Sequence, residues 1–268
     1  MRIVLWIGNE PNQKALANRI EAAYPIAAIV TETRKAQRKL GAKMLAEKVV
    51  EKLFLSAIGK AWWGMLQHYN KLYPSYPAVP TLDVENINSD EAYQFTLQHQ
   101  PDLIIVSGTR LVKEKMLAIA PSIGILNLHT GLSPYVKGGP NCTNWCIATE
   151  QFHLIGNTIM WIDKGIDTGN ILATEFTPIT GNENLSALHL KVMDHAHDLY
   201  VRAIAYLAKG ERQSIPQSTI AKGTTYYTKQ WTLAQKFKLV GNFGKLKNKV
   251  QSGEIVQLQK EIKTVGLK

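Results

Sequence analysis

Two polar residues alternate within an otherwise apolar run near the middle of the chain. Asn127 and His129 belong to the run GILNLH at 124–129. Residues two apart in a strand face the same side, so we expect the amide and the imidazole to lie next to each other. An amide donor beside an imidazole can stabilise negative charge on an oxygen and transfer a proton. The pair predicts a catalytic site, although a structural role for a histidine after a strand remains an alternative on spacing alone.

An aspartate in a later loop is the third candidate. Asp167 stands in the run GIDTG at 165–169, and the glycines on either side permit a sharp turn. That turn can direct the carboxylate back toward His129. The two cysteines, Cys142 and Cys146, are too few for a disulfide scaffold, and they lack the further ligands of a zinc site. The sequence therefore predicts an amide, an imidazole and a carboxylate in one site, with no metal.

The elements that must position these residues alternate between strands and helices. Apolar runs predict buried strands at 2–8, 26–30, 103–106, 124–129 and 157–162. Helical periodicity is found at 11–24, 36–69, 89–98, 112–119, 141–149 and 185–207. This order predicts an α/β, Rossmann-like fold, with a mostly parallel sheet and helices on both faces. Ligands bind at the carboxyl ends of the strands of such sheets, where Asn127 and His129 are expected.

The segment 36–69 is strongly amphipathic. We expect one side of this helix to be formed by Leu40, Met44, Val49 (or Val50), Leu53 and Ile58. Gly59 and Gly64 are expected to interrupt the helix, because glycine is a poor helix former.

The last part of the chain is rich in lysine. We predict a catalytic domain at 1–207 and a short basic extension at 208–268, either packed on the domain or partly ordered. Tyr226, Tyr227 and Trp231 could stack a nucleic-acid base, but a hydrophobic anchor for the extension is the favoured interpretation.

Composition limits the class of protein. No apolar run approaches the roughly 20 residues that span a bilayer, and the first residues predict a buried strand instead of a secretory signal. We therefore predict a cytoplasmic protein with no membrane partner. The formal net charge of +10 indicates an anionic partner, and the sequence also allows a homodimer.

Two longer runs resemble the conserved segments of the formyl transferase family. They are NLHTGLSPY at 127–135, followed by KGG at 137–139, and TIMWIDKGIDTGNIL at 158–172. The resemblance is specific over 103–178 and looser over 2–30. The family includes methionyl-tRNA formyltransferase, glycinamide ribonucleotide transformylase and the sugar N-formyltransferases.

The resemblance implies a reaction and a role for each candidate. An amine would attack the formyl carbon of N10-formyltetrahydrofolate and release tetrahydrofolate, without a metal. Asn127 would hold the formyl oxygen and His129 would stabilise the oxyanion. Asp167 would pair with His129 and help to remove the amine proton through water.

The resemblance also implies which residues contact the ligands. The folate is expected to contact Ser107, Gly108, Thr109, Arg110, Leu111, Val112, Asp163, Lys164, Gly165 and Ile166. The acceptor is expected to contact Thr130, Gly131, Ser133, Tyr135 and Lys137. Lys137 stands where the family often has Arg, and it can still contact a phosphate.

The acceptor is the least determined part of the resemblance. The turn after the first strand carries Glu10 and Pro11, which disfavour the phosphate loop of glycinamide ribonucleotide transformylase. Residues 208–268 are too few for the C-terminal barrel of methionyl-tRNA formyltransferase. An amino sugar carried on a nucleotide is the favoured acceptor. Methionyl-tRNA, another amine, hydrolysis of formyltetrahydrofolate and a non-enzymatic nucleic-acid-binding module are the alternatives.

Overall fold

A computed structural model describes residues 1–35, 41–165 and 167–267. The strands are β1 (Ile3–Gly8), β2 (Ile26–Glu32), β3 (Thr81–Val84), β4 (Leu103–Ser107), β5 (Gly124–His129), β6 (Val136–Gly138), β7 (Gly156–Trp161), β8 (Ile171–Phe176) and β9 (Thr224–Tyr226). The helices are α1 (Pro11–Ala23), α2 (Ala42–Phe54), α3 (Ser56–Leu72), α4 (Asp90–Gln98), α5 (Glu114–Leu117), α6 (Cys142–Ala148), α7 (Leu185–Ala208), α8 (Leu233–Phe243), α9 (Leu246–Gln251) and α10 (Glu254–Gln259).

Seven of these strands form one sheet in the order β3-β2-β1-β4-β5-β7-β8. The first five strands of that order are parallel, whereas β7 and β8 are antiparallel to their neighbours. The direction of the strand order changes between β1 and β4, and in sheets of this kind ligands bind at the carboxyl ends of the strands near such a point. The predicted α/β, Rossmann-like fold with a mostly parallel sheet is confirmed.

The central strand β1 shows why this sheet forms. Every residue of its sequence IVLWIG is buried, as expected for a parallel strand covered on both faces. Ile3, Leu5 and Ile7 pack into the cluster that contains α1 and α7, while Val4 and Trp6 pack on the opposite face with α4 and α5. Alternation with a period of two therefore supplies two cores from one strand.

Local sequence signals place several elements where they were expected. Ser89 caps α4, because its hydroxyl accepts a hydrogen bond from the backbone N–H of Ala92 at 3.2 Å. The helix predicted at 112–119 is shorter than expected, since only Glu114–Leu117 is helical. Four strands, β3, β6, β8 and β9, were not predicted.

The helix predicted at 36–69 is wrong in two respects. The helix is interrupted at the buried Leu55, which separates α2 from α3. Both Gly59 and Gly64 lie inside α3. Gly64 is tolerated there because α3 packs closely on α7. A Cβ atom at Gly64 would lie 2.7 Å from the hydroxyl of Ser186. The loss of helix propensity, about 1 kcal/mol, is therefore offset by close packing.

The residues expected to form one side of the helix are mostly exposed along α2. Met44, Val49 and Leu53 are exposed, with 44%, 52% and 68% of their surface accessible. Leu40 lies outside the described residues. The buried positions of this region are on α3, where Ala61, Met65 and Tyr69 are shielded. The break at Leu55 explains the difference, because it separates α2 from the helix that packs on α1 and α7.

The C-terminal segment is packed against the rest of the protein. Leu239, Leu246 and Ile255 are buried in the same cluster as residues of α6 and α7. Tyr226 stacks on Trp145 with 4.2 Å between ring centroids, and Trp231 meets the same ring edge-on at 4.8 Å. These contacts support the anchor interpretation for Tyr226 and Trp231, whereas Tyr227 is 48% exposed. The division of the chain at residue 207 stays a prediction.

Within the described parts of the chain, no helix combines the length and the apolar character needed to cross a membrane.

Candidate active site

The strand β5 positions the first two candidates. Asn127 pairs with Met160 and His129 with Thr158 across the antiparallel β5–β7 ladder, so both side chains project from one face. Asn127 is half-buried and His129 is 9% exposed. The same-face placement predicted from the spacing is observed.

The loop between β7 and β8 positions Asp167. Its φ of 51° lies in the left-handed region, which aspartate tolerates better than most residues. The carboxylate of Asp163 accepts hydrogen bonds from the N–H of Gly165 at 2.9 Å and the hydroxyl of Thr168 at 2.6 Å. At Gly169 a Cβ atom would lie 1.8 Å from the carbonyl oxygen of Trp161. Only glycine fits there, so the turn depends on this residue.

A glutamine from the C-terminal segment holds the same loop. The side-chain amide of Gln217 donates to the carbonyl oxygens of Asp167 and Gly169, both at 2.8 Å. Gln217 also accepts a hydrogen bond from Lys137 at 3.4 Å. No sequence signal identified Gln217, because its contact joins two residues far apart in the chain.

The three candidates converge on the carboxylate of Asp167. Its Oδ1 accepts a hydrogen bond from the amide of Asn127 at 3.3 Å, and its Oδ2 lies 3.5 Å from Nδ1 of His129. The backbone N–H of Gly138 donates to Oδ2 at 3.2 Å. The structure therefore brings the predicted trio together, and the roles of its members stay predictions.

A cysteine lies on the other side of the imidazole. The Sγ atom of Cys142 is 3.4 Å from Nε2 of His129 and 3.6 Å from the carbonyl oxygen of Gly138. Burial, with further contributions from Cys146 and Asp167, holds the pKa of this thiol well above its ordinary value, so the thiol is neutral. Gly131 completes the enclosure, since a Cβ atom there would lie 2.5 Å from Nε2 of His129.

A pocket of about 260 Å³ opens beside this trio, close to the lower end of the range for small-molecule sites. Its lining comprises Val106, Gly108, Thr109, Arg110, Leu111, Val112, Asn127, Met160, Trp161, Ile162, Asp163, Gly165, Asp167, Thr168 and Gly169. Asn127 and Asp167 thus belong to the wall, whereas His129 lies behind Asp167.

The predicted folate contacts fall mostly in this pocket. Those that line it are Gly108, Thr109, Arg110, Leu111, Val112, Asp163 and Gly165. Ser107 is buried at the end of β4, and Lys164 forms an ion pair with Glu114 at 2.6 Å. Ile166 lies outside the described residues.

A buried carboxylate supports the rim of the pocket. Glu32, at the end of β2, accepts hydrogen bonds from the backbone N–H and the guanidinium of Arg110, both at 2.8 Å, and from the N–H of Ile87 at 3.1 Å. Burial alone would raise the pKa of Glu32. The hydrogen bonds from Arg110, Ile87 and Arg34 outweigh burial, and the pKa is lowered. Glu32 was missed by sequence reasoning, and a lone acid ending a buried strand is the signal that could have found it.

The predicted acceptor contacts lie away from the pocket lining. Gly131 and Ser133 are buried, and the N–H of Ser133 donates to the hydroxyl of Thr158 at 2.9 Å. The hydroxyl of Tyr135 accepts from the N–H of Lys263 at 2.9 Å and donates to its carbonyl at 3.2 Å. Thr130 and Lys137 are half-buried. The role of these five residues in acceptor binding stays a prediction.

Fold and site together define an α/β protein with an amide, an imidazole and a carboxylate at the carboxyl ends of its strands. The chain belongs to the formyl transferase family, whose model matches residues 1–204. It is 28% identical over 198 residues to methionyl-tRNA formyltransferase of Syntrophus aciditrophicus (strain SB). That match covers 74% of this chain and 56% of the relative, so the chain spans about half of that protein's length.

Solved structures share the fold at lower identity. A sugar N-formyltransferase from Shewanella sp. superposes with a TM-score of 0.57 at 15% identity, over 89% of this chain and 87% of the other. The N-formyltransferase from Helicobacter canadensis, in complex with folinic acid and dTDP-3-aminofucose, has a TM-score of 0.53 at 16% identity. It covers 91% of this chain and 81% of the other.

Among the described residues, no group of three or more His, Cys, Asp and Glu side chains could hold a metal ion.

Proposed function

We propose that this protein transfers a formyl group from N10-formyltetrahydrofolate to the primary amine of a nucleotide-linked amino sugar. The observation that carries the proposal is the convergence of Asn127 and His129 on Asp167 at the wall of the pocket. The family membership of residues 1–204 supports formyl transfer as the reaction.

The pocket residues fit the pteridine ring of a folate. Val106, Val112, Met160 and Ile162 supply apolar walls, and the glycines Gly108, Gly165 and Gly169 can line the pocket only with their backbone. A flat ring with polar edges needs both kinds of surface. Folinic acid, a formylated folate, is bound by the Helicobacter canadensis structure of the same fold. When bound, formyltetrahydrofolate supplies the activated formyl carbon.

The side chains of the site divide the remaining work. The amide of Asn127 has two N–H donors, and Asp167 accepts one of them at 3.3 Å. The second donor is free to bind the formyl oxygen as it gains negative charge. Asp167 lines the pocket and can accept the amine proton, directly or through water.

His129 acts from behind Asp167 in this arrangement. Its Nδ1 faces the carboxylate, so the imidazole can share the proton that Asp167 receives. Its Nε2 faces the thiol of Cys142. Direct stabilisation of the oxyanion by His129 requires rotation of the ring away from that thiol.

Methionyl-tRNA is the second candidate acceptor. Two observations favour it: the identity to methionyl-tRNA formyltransferases and the net charge of +10. The amino sugar is preferred because two structures of the same fold, shared over 89% and 91% of this chain, are a sugar N-formyltransferase and an N-formyltransferase that holds dTDP-3-aminofucose. Glycinamide ribonucleotide is disfavoured as the acceptor for a separate reason. Pro11 supplies no N–H at the start of α1, where a phosphate loop would need donors.

A formylation assay separates these candidates. The purified protein is incubated with formyltetrahydrofolate and nucleotide-linked amino sugars, glycinamide ribonucleotide or methionyl initiator tRNA, and the formylated product is measured by mass spectrometry. We expect product from an amino sugar nucleotide. Efficient formylation of tRNA with a steep salt dependence would contradict the amino sugar as the proposed acceptor. Formate release without any acceptor would indicate a hydrolase.

The folate itself is tested by thermal unfolding. A ligand that binds only the native state raises its stability, so folinic acid should raise the melting temperature. NAD should not, because no G-x-G-x-x-G sequence follows β1. Stabilisation by NAD and none by folinic acid would overturn the proposal.

A further inference from the structure

An apolar stripe on α2 faces solvent. Leu45, Val49 and Leu53 follow one another at intervals of four residues, so they line one face of the helix. Their exposed fractions are 57%, 52% and 68%. Ala42 and Ala46, which extend the same face, are also exposed. An amphipathic helix ordinarily buries this face against its own core, so the stripe is free to meet another surface.

The charges around the stripe are unevenly distributed. Lys48 and Lys52 are exposed and follow Leu45 and Val49 by three residues, which places them at the edge of the stripe. Within the described residues, no carboxylate lies within ion-pair distance of either lysine. In contrast, Glu51 is half-buried and pairs with Lys236 of α8. The edge of the stripe is therefore cationic, while an acidic residue of α2 is turned toward the protein.

This combination disfavours a second copy of the chain as the occupant. In a twofold-symmetric dimer whose α2 helices pair antiparallel, the edges that carry Lys48 and Lys52 lie side by side, so lysines would approach lysines. Lysine is also depleted in protein interfaces, and like charges facing each other oppose association. Nucleic acid would match the lysines but would leave the aliphatic residues without a partner.

An anionic lipid surface complements both parts. Aliphatic side chains enter the boundary between headgroups and acyl chains, while lysines keep their ammonium groups at the lipid phosphates. With 13 residues, α2 is about 20 Å long and would lie along such a surface. We propose that the α2 face formed by Leu45, Val49, Leu53, Lys48 and Lys52 docks this protein on anionic lipid bilayers.

The position of α2 relates this surface to the pocket. Arg34, which precedes α2 in the chain, donates a hydrogen bond to the carbonyl of Gly108 at 3.2 Å, and Gly108 lines the pocket. In the sequence, Arg34 stands eight residues before the first residue of α2. Peripheral binding goes beyond the proposed formyl transfer and does not depend on it.

Sedimentation with vesicles tests the unmodified protein first. The full chain is mixed with vesicles of phosphatidylcholine alone or of phosphatidylcholine with phosphatidylglycerol, and the bound fraction is measured. We expect binding to the anionic vesicles, at least about tenfold tighter than to the neutral ones, and weaker at high salt. Absence of binding to the anionic vesicles would overturn the proposal.

Two pairs of matched variants then test the surface. Val49→Glu should weaken binding about tenfold or more, whereas Val256→Glu, at an exposed valine of α10, should not. Lys48→Gln with Lys52→Gln should weaken binding about tenfold or more, and Lys222→Gln with Lys229→Gln should not. Unchanged thermal unfolding in all variants checks that each has folded.

Two results would contradict the assignment to α2. Equal loss of binding in the α2 variants and their controls would mean that general basic charge is responsible. A dimer that Val49→Glu converts to monomers, without vesicle binding by the wild-type protein, would assign the stripe to a second copy of the chain. Light scattering measures the oligomeric state in the same samples.

Discussion

At the scale of single residues, the site depends on how one carboxylate is held. Asp167 receives hydrogen bonds from Asn127 and Gly138, and it lies 3.5 Å from His129. Its backbone adopts a left-handed conformation that Gln217 and Gly169 stabilise from either side. Gly138 and Gln217 do not line the pocket, so part of this geometry is set by residues outside it, in the way that supporting hydrogen bonds orient catalytic groups.

Replacing His129 tests the role of the imidazole. His129→Ala should lower kcat about a hundredfold or more, because it removes a group that handles the proton in the transition state. Folate binding should change little, since His129 does not line the pocket. Steady-state kinetics and folinic acid titration measure the two effects. His68→Ala, at an exposed histidine of α3, is the control, and full activity of His129→Ala would contradict the mechanism.

At the scale of elements, β2 and β4 are joined at their carboxyl ends by Glu32. Its carboxylate binds the start of the 110–112 segment and the loop before α4, so one buried charge holds two connections. Because hydrogen bonds lower the pKa of Glu32 in the folded state, its contribution to stability is present above the unfolded pKa and is lost as pH falls through the folded pKa.

In Glu32→Gln, the free energy of unfolding should therefore fall less steeply than in wild type as the pH is lowered. At neutral pH we expect a loss of at least about 1.5 kcal/mol, because donors that faced a charged acceptor lose it. Below the folded pKa of Glu32, the variant and the wild type should differ less in their free energy of unfolding. Urea unfolding at a series of pH values measures this. The same change at the exposed Glu91 is the control, and parallel profiles for Glu32→Gln and wild type would disprove the linkage.

Most of these elements could be predicted from the sequence, and the exceptions have physical causes. The strands β1 and β4 are nearly continuous apolar runs, which leave little choice of structure. The short β3 was missed because its four residues include exposed polar positions. The sequence predicted an apolar side for α2 but not its exposure, because periodicity identifies an apolar face without saying what covers it.

The site was predictable to a different extent. The positions of Asn127 and His129 follow from strand geometry, and Asp167 follows from the resemblance together with its glycines. Gln217 and Glu32 did not stand out, because each acts through a contact between distant parts of the chain. Such contacts are products of the tertiary fold, and local sequence patterns do not encode them.

At the scale of the whole molecule, the C-terminal helices are part of the core. Leu239 is fully buried on α8, next to residues of α6 and α7, whereas its neighbour Val240 is 40% exposed. The extension therefore contributes to folding as well as to the charge of the surface.

Leu239→Ala should cost about 2–5 kcal/mol, since it leaves a cavity in a packed cluster. Val240→Ala is the matched control and should cost less than about 1 kcal/mol. Chemical denaturation measures both. Similar small losses for the two variants would mean that α8 contributes little to the stability of the core.

The contact made by Gln217 limits which segment of this chain can be exchanged with that of a relative. The family model ends at residue 204, yet the side chain that secures the Asp167 loop comes from beyond that limit. Residues 1–204 alone therefore do not contain everything that holds the Asp167 loop in place. A chimaera joined at the family boundary would keep every residue of the trio and still lose the support that orients one of them.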